Sequence, residues 1–206
     1  MATETTTFYP QTHTGSTFNS ISNPTNPVGK GSANTTSASL VIDRMYTEAV
    51  IYWPFDLSAV PDKATIDSVV CNAKCRVSST NHLKSTYLQL FSGTTEKGSR
   101  TSANSTSDSV YTLTVGTWTR DELSNCRLRI YSIHNYNAPK ATVYFYGADL
   151  TVIYTYNSEK FMLKTGGTWC DVSRVFKKVS GIWVEQESLE GVVDTSKKLV
   201  NGGEIN

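Results

Sequence analysis

The 206-residue chain carries little charge and no long apolar stretch. Asp, Glu, Lys and Arg together make up 18% of it, below the roughly 25% of an average protein. With 19 basic and 18 acidic side chains the formal net charge is +1. A broad cationic field able to gather a phosphate backbone is therefore missing, and nucleic acid is not expected as a partner. No run approaches the roughly 18 apolar residues that would cross a bilayer, so membrane insertion is not expected. Long segments of Ala, Glu, Lys and Leu at helical spacing are also missing, which excludes coiled coils and helical bundles. Met1 to Pro10 has neither the basic cluster nor the apolar core of a secretory signal. Synthesis in a cytosol is expected, with any later exit by another route such as lysis.

Patterned chemistry is equally scarce. The three histidines, His13, His82 and His134, stand apart, without the His-Glu-x-x-His spacing of a zinc helix. No Gly-x-Ser-x-Gly elbow occurs. The nearest approach to a phosphate loop, Val28-Gly29-Lys30-Gly31, lacks the first glycine and has Gly where Ser or Thr follows the lysine. Acidic candidates for acid–base work (Asp43, Glu48, Asp56, Asp62, Asp67, Asp121 and Glu122) are scattered over loops and strand ends. The expectation is a protein without catalysis, cofactor or metal. Cys71 and Cys75 lie four residues apart on a strand, about 13 Å, beyond the roughly 7 Å between Cα atoms that a disulfide tolerates. They read as small buried thiols, as does Cys126, whereas Cys170 beside Trp169 is the cysteine expected to be exposed.

What is abundant is Ser and Thr, about a quarter of the residues, and aromatics, 11% with eleven tyrosines. Strand signals come in series: Ser39 to Trp53 as two strands broken near Tyr46 to Glu48, then Ile66 to Val77, Ser85 to Phe91, Ser109 to Val115, Cys126 to Ser132, and Ala141 to Tyr156 with an interruption at Gly147. Val69, Cys71, Ala73, Cys75 and Val77 share one face by alternation. Ser92-Gly93, the polar stretch from Gly98 to Ser109, and His134 to Pro139 supply turns. Thr119 with Glu122 has the spacing of a capping box. Six to eight strands with turns at short intervals predict an all-β fold, a jelly-roll or Greek-key-like two-sheet sandwich.

Three regions follow. Residues 1–38 form an extended polar arm, which, if ordered, lies on its own subunit or on a neighbour, a first pointer to assembly. Residues 39–156 form the sandwich. Residues 157–206 form a small C-terminal hairpin unit and tail, with Ser180-Gly181 as a two-residue turn pairing Val179 with Ile182. Phe176 and Trp183 then share the opposite face with Lys178 and Glu185. A two-stranded hairpin is marginal alone, so Trp169, Phe176, Ile182 and Trp183 are candidate assembly contacts. Tyr144 and Tyr146 alternate with Val143 and Phe145, so one of the two sets faces outward. With Trp53 and Tyr136 they are candidate glycan contacts, because an aromatic ring beside polar groups offers a flat apolar face to a sugar.

Several segments resemble proteins of tailed-bacteriophage virions. Tyr52-Trp-Pro-Phe55-Asp-Leu-Ser-Ala-Val-Pro61-Asp-Lys-Ala64-Thr-Ile66 is similar to a recurrent F-D-x-S-x-I/V-P-x-x-A-x-I segment between two sandwich strands. Val110 to Ile130 and Tyr146 to Tyr156 are similar to later segments of such proteins. Gly167-Thr-Trp169 through Val175-Phe-Lys-Lys-Val-Ser-Gly181-Ile-Trp183-Val resembles the G-x-W…K-V-x-G-x-W modules that end many tail and fibre proteins, with Phe176 where Tyr is common. The resemblance spans residues 40 to 190. It implies a structural protein on the particle exterior, of head-decoration, head-fibre, tail-fibre or baseplate type. Its implied partners are copies of itself, a trimer by preference, and other virion proteins, with assembly in the host cytoplasm. A carbohydrate-binding module recognising a host surface glycan is the alternative.

Overall fold

A computed structural model describes residues 2–43, 48–113 and 115–156, together with the backbone of four short strands between 161 and 185. Residues Ala2–Asn157 make one compact unit and Ser158–Asn206 another.

The first unit is an all-β sandwich of two antiparallel sheets. Its strands are β1 (Ala2–Phe8), β2 (Ser20–Ser22), β3 (Ala38–Ile42), β4 (Glu48–Pro54), β5 (Thr65–Val77), β6 (Leu83–Ser92), β7 (Thr95–Ser102), β8 (Ser109–Leu113), β9 (Cys126–His134) and β10 (Ala141–Tyr156). One sheet runs β2-β3-β10-β5-β8, with β1 also on β10; the other runs β4-β9-β6-β7. From β3 to β10 the orders 3-10-5-8 and 4-9-6-7 are those of a jelly roll, so sheet neighbours are distant in sequence. Alternation decides the faces. Val69, Cys71, Ala73, Cys75 and Val77 of β5, Ile51 and Trp53 of β4, Leu128 and Ile130 of β9, and Val143 and Phe145 of β10 are all buried, and together they fill one core.

Three features depart from the sequence reading. The polar arm is part of the sandwich. β1 pairs with β10 over seven residues, Ala2↔Tyr156 to Phe8↔Leu150. The chain then crosses to the other sheet and borders β4, where Thr14 donates to Tyr52 O at 2.8 Å and accepts from Tyr52 N at 3.1 Å. β2 returns it to β3. The arm's order therefore comes from its own subunit, through backbone hydrogen bonds that apolar patterning does not announce. Secondly, β7 is a strand although Thr95 to Ser102 is wholly polar; it pairs within its sheet only with β6, and such an edge position suits charged residues. Thirdly, β10 is not interrupted at Gly147. It continues through a register shift between Phe145 and Gly147 against β5. Gly147 has φ +151°, and a Cβ there would sit 2.3 Å from Lys30 O.

One turn of helix, α1 (Arg120–Leu123), carries the capping box: Glu122 N bonds the Thr119 side chain and the Glu122 carboxylate accepts from Thr119 N at 2.8 Å. The second unit contains the antiparallel pairs β11 (Phe161–Thr165) with β12 (Thr168–Val172) and β13 (Phe176–Val179) with β14 (Ile182–Glu185). Val179 stands opposite Ile182 and Lys178 opposite Trp183, the register that a two-residue Ser-Gly turn requires.

Candidate functional site

The candidate glycan residues do not converge. Trp53 is 0% exposed, with its ring centroid 5.0 Å from that of Phe145 and 5.3 Å from that of His13. It belongs to the core and has no face for a sugar, because the alternation of β4 turns it inward with Ile51. Tyr136 is 83% exposed in the β9–β10 loop, where Asn137, Pro139 and Lys140 line a shallow depression with Asp43.

Tyr144 and Tyr146 do share the outer face of β10, but their own neighbours occupy them. The Arg76 guanidinium lies 3.8 Å from the Tyr144 ring centroid and the Lys74 ammonium 4.8 Å from that of Tyr146. The Tyr146 hydroxyl donates to Asp108 at 2.7 Å and accepts from Arg76 Nε at 3.1 Å. Burial, reinforced by the Asp108 carboxylate, raises the Tyr146 pKa. With 6% exposure, Tyr146 is a structural strut. Trp169, Phe176, Ile182 and Trp183 have defined strand positions, but their side chains, like that of Cys170, lie outside the described residues.

The acidic candidates serve local structure. Asp56 accepts from Ser58 N at 3.0 Å, Asp67 from Thr155 Oγ1 at 2.7 Å, and Asp62 pairs with Arg120 at 3.3 Å. His134 is buried, with Nε2 2.9 Å from Pro139 O. Among the described residues no three His, Cys, Asp or Glu side chains are grouped so as to hold a metal ion. Cys71, Cys75 and Cys126 are buried free thiols. Desolvation pushes Cys75 up to about 12 and the other two upward as well, which suppresses the reactive thiolate.

No protein-family model matches the chain, and comparison with curated proteins finds no match. Its site has to be read from the geometry.

The surface that sequence reasoning missed is the outer face of the β4-β9-β6-β7 sheet. In β9 the residues Arg127, Arg129 and Tyr131 alternate with buried Leu128, Ile130 and Ser132. Register then builds three rows across the sheet: Val50–Tyr131–Tyr87, Tyr52–Arg129–Gln89, and Pro54–Arg127–Phe91 with Glu96 of β7 beyond. Cations and rings interleave. Arg127 lies 4.0 Å from the Tyr52 ring centroid and Arg129 4.3 Å from that of Phe91. Arg129 and Arg100 lie 5.5 Å and 5.7 Å from the Tyr131 ring. Tyr87 and Tyr131 stack at 6.3 Å with 16° between their planes.

Arg129 also donates to Gln89 Oε1 at 2.8 Å, and Glu96 pairs with both Arg129 and Arg100 at 3.5 Å. Arg127 has no carboxylate partner among the described residues, and the buried Nε atoms of Arg127 and Arg129 find no hydrogen-bond acceptor. Burial, with the Glu48 carboxylate as a second cause, raises the Tyr131 pKa. The signal in the sequence was Cys126-Arg-Leu-Arg-Ile-Tyr, where alternation places two arginines and a tyrosine on the face opposite the core.

Proposed function

We propose that the chain is a non-enzymatic structural protein of a tailed-phage virion, displayed on the particle exterior and assembling as a homo-oligomer, a trimer by preference. The observation that carries this reading is the division of the chain into a compact jelly roll and a separate unit containing two short hairpins. Two-stranded hairpins in water need a further surface to be stable. Within a homo-oligomer docked on a particle, copies of the unit and the neighbouring virion protein supply that surface, and the sandwich is presented outward. The resemblance of Tyr52 to Ile66 and of Gly167 to Val184 to virion modules supports the same reading. Trp169, Phe176, Ile182 and Trp183 are its assembly residues.

Native mass spectrometry of the full chain, together with immunogold labelling of particles, tests the proposal. A trimer is expected, with label on the particle surface. Trp183→Ser should shift the trimer towards monomer while leaving the sandwich's circular dichroism unchanged. A strictly monomeric chain with unlabelled particles would overturn it.

A further inference from the structure

We infer that the outer face of the β4-β9-β6-β7 sheet binds a short stretch of an acidic polysaccharide, with a sugar carboxylate on Arg127 and sugar rings against the Tyr87–Tyr131 pair. The inference goes beyond the virion proposal and does not depend on it. Charge is the first reason. Arg100, Arg127 and Arg129 meet on one face where Glu96 is already shared between two of them and Glu48 stands beside Tyr131. Arg127 retains an unneutralised guanidinium held against Tyr52. A guanidinium fixed in this way is a preorganised fork for a carboxylate, which it binds through two parallel N–H donors.

Shape is the second reason. Rows repeat about 7 Å apart along the strands and strands lie about 4.8 Å apart, so the face spans about 14 Å in each direction, room for a few sugar units. Tyrosine offers a ring for the C–H face of a sugar and a hydroxyl for its polar edge. A nucleic acid fits less well. Its affinity comes from many phosphate contacts, whereas this face carries two carboxylates within a protein of net charge +1. The Tyr144–Tyr146 cluster offers no comparable opening, since Asp108 already neutralises Arg76 at 3.2 Å.

The test is affinity electrophoresis of the full chain through gels containing polygalacturonate, neutral dextran or oligothymidylate. Retardation by polygalacturonate alone is expected, weakening as salt rises. Arg127→Gln should weaken binding roughly tenfold, as loss of a charge-assisted pair implies. Arg127→Lys should restore part of it, because charge remains without the fork. Glu96→Gln should tighten it, since a repelling carboxylate is removed and the exposed Arg100 is freed. That gain is not what damage to the fold produces, so it decides the matter should Arg127→Gln fold poorly.

Lack of retardation by polygalacturonate overturns the inference, as does retardation unaffected by both Arg127→Gln and Glu96→Gln. Equal retardation by dextran would remove the role of charge. Stronger binding of oligothymidylate with the same variant pattern would make this a nucleic-acid face instead. None of these outcomes bears on oligomerisation or particle labelling, which test the virion proposal separately.

Discussion

Gly147 is the residue on which the middle of β10 depends. Its φ of +151° lies where side chains are rarely tolerated, and its missing Cβ leaves room for the carbonyls of Lys30 and Gly31. The contact is made on both sides, because Ala148 N donates to Lys30 O at 3.2 Å and Asp149 accepts from Ser32 N at 3.0 Å. Gly147→Ala should therefore destabilise the protein by about 2–4 kcal/mol, combining backbone strain with displacement of the loop. Urea unfolding followed by tryptophan fluorescence measures it, and a loss under about 0.5 kcal/mol, the scale of a neutral surface change, would show that the loop accommodates a methyl group freely. Glu122 gives a pH dependence. Lys97 donates to it at 2.8 Å, and that bond, with the Thr119 N–H next in size, lowers its pKa below the ordinary 4.5. A depressed carboxyl contributes stability that is complete above its unfolded value and is lost as pH falls through the folded one. Glu122→Gln should thus lower the melting temperature near neutral pH and flatten its decline between about pH 5 and pH 3, measured by thermal melts across that range.

At the scale of elements, the N-terminal segment acts as a strap across the two sheets. It holds β10 by a seven-residue ladder and β4 by the reciprocal bonds of Thr14 with Tyr52. Thr14→Pro removes the donor to Tyr52 O and disturbs the bond from Tyr52 N, for an expected loss of about 1–2 kcal/mol. Hydrogen exchange should show the Tyr52 amide losing protection while that of Ile130, in the strand beyond, keeps its own; equal loss at both would mean that the strap supports the whole sheet. This segment also marks where sequence reading ran out. The apolar alternation of β5, β9 and β10 was legible because one face of each strand is buried against the opposite sheet, and that pattern also yields the two-sheet class. β1 shows no such pattern. Of the residues that share a face with buried Phe8, Ala2 and Thr6 are half-buried and Glu4 is exposed, accepting from the hydroxyls of Tyr154 at 3.0 Å and Tyr156 at 2.7 Å. β7 was hidden for the related reason that an edge strand can be held by backbone pairing alone. Trp53 was misread because aromatic content does not tell which face of a strand a ring occupies. Arg127 and Arg129 do not stand out in the sequence because their partners Tyr52, Phe91 and Gln89 come from other strands, and register alone brings them together.

For the whole sandwich, topology sets how it comes apart. Each step along the chain from β3 to β6 changes sheet, so neither sheet is a contiguous piece of sequence, and the strap joins both. Loss of one sheet would leave the inner face of the other in water, with Leu88, Leu90, Leu128 and Ile130 on one side and Cys71, Cys75, Val143 and Phe145 on the other. Burial of this kind is the main source of folding stability, so the two sheets should unfold as a single cooperative unit. The thiols report on this because they sit on opposite layers, Cys71 and Cys75 in β5 and Cys126 in β9. All three are at most 1% exposed, and burial disfavours their thiolates. Iodoacetamide should leave them unmodified in the native protein. Across a urea series, peptide mass spectrometry should find Cys75 and Cys126 becoming labelled at one common midpoint, coincident with loss of tryptophan fluorescence. Earlier labelling of Cys126 than of Cys75 would mean that the Arg–Tyr sheet detaches first. The strap would then fasten only the β10 side, and the proposed sugar-binding face would rest on a layer able to open without the rest of the fold.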